Sequence, residues 1–352
     1  MNRRNFIHNT SRAAMALPFL RLPVFMKALR MGIVVHSYGA RWNSKFESEK
    51  YPGFKDAIDL MEHSHKIGAG GVQVNVRDWS QDFAKKVRDR RERLGLFVEG
   101  SIALPKDESD VSRFEKEILA AKEAGSAIVR TVCLNGRRYE NYKSLSAFQE
   151  FARKAVTSLE LAEPVVRKNK IRLAVENHKD WRAQELVDIM KKLGSEWLGV
   201  TLDFGNNLAL IEDPMDVVNA LAPYTFTTHV KDMGVREYED GFLLSEVPLG
   251  EGILDLKKMF DVCRKHREDV NFNLEMITRD PLKIPCLTDG YWDTLPEVAP
   301  TEIAGILRLV KQQSFETKLP HVSHLDGEQR LSAEENNIIA SLQYSKSNLG
   351  MS

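Results

Sequence analysis

Four stretches in the second half of the 352-residue chain decide its fold: Ile171-Arg172-Leu173-Ala174-Val175-Glu176-Asn177-His178, Leu198-Gly199-Val200-Thr201-Leu202-Asp203-Phe204-Gly205-Asn206, Thr225-Phe226-Thr227-Thr228-His229-Val230-Lys231-Asp232 and Asn271-Phe272-Asn273-Leu274-Glu275-Met276-Ile277. Each opens on a short run rich in apolar and β-branched residues, the mark of a buried strand. Each then ends on an ionisable side chain that can ligate a metal. Glu176 and Asp203 are 27 residues apart, Asp203 and His229 are 26 apart, and His229 and Glu275 are 46 apart. The first two intervals fit one strand plus one helix, and the third fits a longer unit of the same kind.

Reading outward, the same rhythm extends towards the N-terminus. Met31–Ser37, Gly71–Val76, Leu96–Ile102 and Ile128–Leu134 are four further strand candidates. Segments with apolar residues at helical spacing lie between strands, among them Phe54–Ile67, Phe114–Ala124, Leu145–Lys168 and Ala183–Leu193. Gly68, Gly95, Gly125, Asn169 and Gly194 punctuate the helix ends. Eight strands, each followed by a helix, in about 285 residues predict an α/β fold, a single-domain (β/α)8 TIM barrel. A doubly wound sheet would usually carry a glycine-rich phosphate turn after its first strand. The sequence there is Val35-His36-Ser37-Tyr38-Gly39-Ala40, without that turn.

Composition bounds the function. Fifty Lys+Arg balance fifty Asp+Glu, and 43% of residues are hydrophobic, so disordered and low-complexity classes are excluded. No basic surplus advertises a grip on nucleic acid. Cys133, Cys263 and Cys286 are too few and too scattered for a disulfide framework. No apolar run reaches the length of a membrane span.

The ends differ from the middle. Residues 1–27 carry Asn2-Arg3-Arg4-Asn5-Phe6-Ile7 followed by the apolar Ala13–Leu20, which reads as a twin-arginine-type export segment. The barrel is expected over 28–313. Residues 314–352 turn polar and read as an extension with one short helix near Ala333–Tyr344. Delivery to the periplasm follows from the export reading; without it the chain would be cytoplasmic.

In a barrel of this kind, side chains at strand C-termini gather at one mouth. Glu176, Asp203, His229 and Glu275 are therefore expected around one point. A single carboxylate at a strand end is usually a helix cap, but four ligating residues in succession are hard to explain by capping. Three carboxylates buried together without a cation would repel one another and resist desolvation at a cost of several kcal/mol. One imidazole and three carboxylates suit one divalent metal ion, Mn²⁺ or Mg²⁺ first, with Co²⁺ or Zn²⁺ also compatible. Alternation along a strand puts Glu176 with His178, and His229 with Lys231, on shared faces wherever the strand continues.

Glu176-Asn177-His178, Asp203-Phe204-Gly205-Asn206, His229-Val230-Lys231-Asp232 and Glu275, with Leu249-Gly250-Glu251-Gly252 between the last two, resemble the strand ends of the xylose-isomerase-like sugar (phosphate) isomerase/epimerase superfamily. The resemblance spans about residues 30–313. It implies a metal held by all four residues and a keto-sugar whose proton next to the carbonyl is removed and returned through an enediolate. Glu176 and Glu275 would be the catalytic pair. His178, Asn206, Lys231, His36 and Trp292 would contact substrate, Trp292 from the long Thr278–Pro300 connection. Ketose 3-epimerases of this kind commonly carry histidine where this chain has Asn206. A keto-sugar or keto-inositol dehydratase or lyase using the same metal site is therefore the alternative. An endonuclease-IV-like repair enzyme and a non-catalytic sugar binder are minor alternatives. The nuclease would need extra histidines after several strands, where this chain has Val74-Asn75-Val76 and Gly100-Ser101-Ile102. The expected partner is a small-molecule sugar, with no nucleic acid and no stable membrane insertion; a homo-oligomer is compatible with the sequence. Gly250-Glu251-Gly252 leads into Ile253-Leu254-Asp255 without a Lys-Ser/Thr pair, so it reads as a tight turn and not a phosphate loop.

Overall fold

All eight strand candidates form strands, and they pair into one closed parallel barrel. In the computed structural model, which describes residues 29–352, these are β1 (Gly32–Val34), β2 (Gly71–Asn75), β3 (Phe97–Ser101), β4 (Ile128–Thr131), β5 (Arg172–Glu176), β6 (Leu198–Asp203) and β7 (Thr225–Val230), with β10 (Asn271–Leu274) closing the ring. Around the barrel the order is β1-β10-β7-β6-β5-β4-β3-β2. The export-type segment, residues 1–27, lies outside the described residues. Among the described residues no helix is long and apolar enough to cross a membrane.

The first, fourth and last strands are shorter than the sequence suggests. The chain leaves the sheet early there, at Val34, Thr131 and Leu274, to build loops at the mouth. Val35–Tyr38 is a 3-10 turn and not the end of a strand. Inside the barrel, small residues make room for large ones. A Cβ on Gly32 or Gly71 would lie 2.5 Å or less from the Phe97 ring, so the two glycines let that ring in.

Two departures from an eight-unit barrel matter for the site. After β7 the chain forms an antiparallel hairpin, β8 (Asp232–Tyr238) and β9 (Gly241–Val247), joined by β11 (Leu282–Ile284) in a separate three-stranded sheet. This hairpin accounts for the 46-residue interval between His229 and Glu275. It packs with the helix Pro300–Gln312 through Val235, Phe242, Ile306 and Val310.

The polar C-terminal tail is not a loose extension, nor is its helix short. Gly327–Asn348 is a 22-residue helix, and its Ile338 and Leu342 join the barrel's own core. Sequence polarity misled because the buried face includes Glu334, Glu335, Ser341 and Ser345, each with a partner. The helix packs on the turn that follows β1, where Glu334 meets the Ala40 N–H, and the residues after it return to the start of the barrel, where the Ser352 N–H meets the Leu29 carbonyl.

Candidate metal centre

The strand order sets the arrangement of the four expected ligands. β10, β7, β6 and β5 are consecutive neighbours, and Asp203 sits directly opposite His229 in the register. His229 and Asp203 therefore lie between Glu275 on one flank and Glu176 on the other. One ligand atom from each residue falls within 4.8 Å of all the others, and all four residues are buried. His229 Nδ1 is 3.4 Å from Glu176 Oε2, 3.4 Å from Glu275 Oε1 and 3.9 Å from Asp203 Oδ2.

Local hydrogen bonds hold each carboxylate in place. Asp203 Oδ1 accepts the N–H groups of Gly205 and Asn206 at 2.9 and 2.8 Å, which leaves Oδ2 aimed at the cluster. The Asn177 amide clasps the Asp203 backbone on both sides, accepting its N–H at 2.8 Å and donating to its carbonyl at 2.9 Å. Ser37 ties down the chain around Glu275, donating to the Leu274 carbonyl and accepting the Met276 N–H.

The donor set fits a divalent cation on two structural observations. First, among the described residues His229 Nδ1 is a buried polar atom without a hydrogen-bond partner, and it faces carboxylate oxygens of Glu176, Glu275 and Asp203, the last of which is also ion-paired to Lys231. Second, His229 Nε2 lies 2.7 Å from Gln73 Oε1, while Gln73 Nε2 donates to Glu99 at 3.0 Å. That chain fixes the Gln73 amide so that its oxygen accepts the Nε2 proton, and the Nδ1 lone pair is left for a metal.

Electrostatics state the same demand for positive charge. Burial pulls the His229 pKa down, but Glu275 and Glu176 outweigh it and push it up to about 9. Burial alone would raise Glu176 and Glu275. Arg130 and His229 hold the first, and Lys231 and His229 the second, well below the usual carboxylate range. Asp203 is raised by burial, with Lys231 opposing and Glu275 and Glu176 adding to the rise.

The remaining expected residues divide. Lys231 Nζ joins the cluster, 2.7 Å from both Asp203 Oδ2 and Glu275 Oε2. Asn206 Nδ2 donates to Glu176 Oε1 at 3.1 Å. His36, half exposed at the rim, places Nδ1 3.1 Å from Glu275 Oε1. His178 turns aside, because β5 ends at Glu176: its Nδ1 faces the Leu134 carbonyl at 3.1 Å, and burial drives its pKa down to about 4. Trp292 is not brought to the cluster. Its indole N–H donates to the Cys286 carbonyl, and its ring packs edge-on against Tyr291. The Gly250-Glu251-Gly252 turn wraps a carboxylate of its own chain: Asp232 Oδ2 accepts the N–H groups of Gly250 and Gly252, both at 3.0 Å.

Sequence reasoning missed five residues here. Arg130 donates through Nε to Glu176 Oε2 at 2.6 Å. Glu99, below the histidine, accepts from Gln73, Thr227, Asn271 and Asn273. Lys179 and Glu246 are buried at the edge of the cluster. Gln73 is the histidine's partner. A charged or amide side chain inside an otherwise apolar strand was the available signal, since Arg130, Glu99 and Gln73 all interrupt such runs.

Residues 61–302 match a family model described as the xylose isomerase-like TIM barrel. The chain is 24% identical over 248 residues to 3-oxo-isoapionate decarboxylase of Pectobacterium atrosepticum, covering 68% of this chain and 84% of that protein. Among solved structures it resembles D-psicose 3-epimerase in the presence of D-fructose (TM-score 0.59, 14% identity, 92% of this chain and 100% of that one). It also resembles a protein with this barrel from Mycobacterium smegmatis in complex with magnesium (TM-score 0.55, 15% identity, 81% and 97%). At such identities the solved structures speak for the fold alone.

Proposed function

The chain belongs to the xylose isomerase-like TIM-barrel family, and from that premise we propose that it is a metal-dependent isomerase or epimerase of a keto-sugar. The observation that carries this reading is the flanking of one cation-seeking point by two carboxylates, Glu176 from β5 and Glu275 after β10. A site that only bound sugar would not need two bases held ionised beside one another. Glu176, Asp203, His229 and Glu275 would hold one divalent ion, Mn²⁺ or Mg²⁺ by donor type. That ion supplies Lewis-acid polarisation of a substrate carbonyl.

The chain's own groups supply the proton chemistry. One glutamate removes the proton from the carbon next to the carbonyl, and the other, on the opposite flank, can return one to the neighbouring position or face. Arg130 and Lys231 keep the two glutamates anionic and therefore ready to accept it. Lys231, Asn206 and His36 are placed to hold the sugar's oxygens, and His178 stands behind Glu176. An elimination is the second reading, favoured by Asn206 where 3-epimerases commonly have histidine and by the decarboxylase relative. Removal of the proton beside the carbonyl with loss of the hydroxyl one carbon further as water, or loss of CO2 from a carboxylate on the carbon beside the carbonyl, passes through the same kind of enolate.

Residues 1–27 are read as an export address of the twin-arginine type, which would make the working compartment the periplasm. The central test is exchange in D₂O with added Mn²⁺. Keto-sugars that turn over should gain deuterium beside the carbonyl, and the gain should fall at least a hundredfold in Glu275→Gln. Turnover without deuterium entering at any carbon would sink the reading.

A further inference from the structure

Two lysines are buried among the described residues, Lys231 and Lys179. Lys231 is matched by Asp203 and Glu275. Lys179, 4% exposed, meets no carboxylate among the described residues; its ammonium reaches only the amide oxygen of Asn206. A buried charge without a counter-charge is strongly disfavoured, so Lys179 calls for an explanation.

Its placement gives one. Asn206 Oδ1 also lies 3.4 Å from Lys231 Nζ, and Asn206 Nδ2 holds Glu176 Oε1 at 3.1 Å. Lys179 is therefore one side chain away from the metal centre. Its backbone is in the left-handed region, φ 73°, a conformation strained for a lysine. The surrounding chain enforces it: Asp180 accepts the His178 N–H at 3.1 Å, and the Lys179 carbonyl accepts the Arg138 N–H at 3.0 Å. Burial, with Lys231 and Arg279 adding and the more distant Glu246 and Asp203 opposing, lowers the Lys179 pKa to about 8, which still leaves mostly ammonium at neutral pH.

The other cations around the centre are each matched by a carboxylate. Arg130 pairs with Glu176, Lys231 with Asp203 and Glu275, and Arg279 with Glu246, its Nε 3.1 Å from Oε2. Of the four cations, Lys179 alone has no carboxylate at ion-pair distance among the described residues. A neutral sugar leaves that one buried ammonium unmatched.

We propose that Lys179 anchors a permanent carboxylate on the substrate, so that this enzyme takes a keto-sugar acid rather than a neutral ketose. This rests on the metal-dependent keto-sugar reading and narrows it. One ammonium bridged by an amide suits a monoanionic carboxylate. A phosphate dianion would call for an arginine fork or a nest of free backbone N–H groups, and the glycine turn nearby is already filled by Asp232.

The test compares three ketoses of one skeleton on the Mn²⁺-loaded full chain by titration calorimetry: D-fructose, D-fructuronate and D-fructose 6-phosphate. D-Fructuronate should bind about tenfold tighter than D-fructose or more, the scale of a hydrogen bond to a charged group. In Lys179→Met that preference should vanish while Mn²⁺ affinity stays within about twofold. Lys179→Arg should retain part of it, and melting curves of both variants check folding. Equal binding of the acid and the neutral sugar, tightest binding of the phosphate, or a preference that survives Lys179→Met would each overturn the assignment. Failure to take up Mn²⁺ at all would overturn the metal reading together with it.

Discussion

His229 presents Nδ1 to the carboxylates because its other nitrogen is taken. Gln73 accepts the Nε2 proton at 2.7 Å, and Gln73 is itself fixed by Glu99, whose buried carboxylate has three further donors. The four ligands are polar residues at strand ends, a position the sequence displays. Gln73 and Glu99 lie within strands β2 and β3, on the far side of the barrel interior. Nothing along the chain links residue 73 to residue 229, so only barrel closure reveals the contact. Removing a partner of this kind typically costs ten- to a hundredfold in metal affinity. Gln73→Leu, close in volume but without the amide, should weaken Mn²⁺ binding by about that factor while the far-ultraviolet circular dichroism stays unchanged. Calorimetric titration with Mn²⁺ measures it, and an unaltered dissociation constant would show that the tautomer is set by something else.

At the scale of elements, the eight strands were legible because a buried parallel strand is a nearly unbroken apolar run, and these runs recur at regular intervals. The β8–β9 hairpin was not recognised, although Asp240-Gly241 is a turn signal between alternating residues; the barrel rhythm made the whole interval read as one long unit. The C-terminal helix was hidden for a different reason, since it docks largely through polar groups. Glu334 accepts the N–H groups of Ala40 and Arg41 at 2.8 and 3.2 Å, while Glu335 pairs with Arg41 at 2.9 Å and His63 at 3.0 Å. Burial raises Glu334 from 4.5 to about 7 against those two N–H donations and the Arg41 charge, with Glu335 adding to the rise. A carboxyl whose folded pKa lies above its unfolded one stabilises the fold most below the unfolded value, and the benefit is lost as pH rises through the folded value. The melting temperature should therefore fall by a few degrees between about pH 5 and pH 8. Glu334→Gln, which cannot ionise, should flatten that slope, and thermal melts of both proteins across the range decide it. An identical slope in the variant would place the pH dependence elsewhere.

For the molecule as a whole, the two ends of the described chain meet. Gly32 in β1 pairs with Asn273 in β10 on one side and with Gly71 in β2 on the other, and the Ser352 N–H reaches the Leu29 carbonyl at 2.9 Å. The barrel therefore cannot close until nearly the whole chain is available, and such non-local pairing is slow to form. The candidate ligands come from β5, β6, β7 and the residue after β10, so the candidate metal centre is complete only in the closed barrel. A route that threads an unfolded chain would carry it across without a cation among its three carboxylates. The twin-arginine route carries folded proteins, which allows the metal to be loaded first. The export address proposed for residues 1–27 therefore fits the proposed chemistry, and it gives a concrete expectation. Replacing Arg3 and Arg4 by lysine should leave the protein in the cytoplasm, folded and still able to catalyse deuterium exchange in extracts, while the unaltered chain is recovered from the periplasm. Fractionation followed by immunoblotting and the exchange assay separates the outcomes. Undiminished periplasmic delivery of the double-lysine variant would refute the address, and cytoplasmic protein that had lost its exchange activity would show that the metal is acquired only after export.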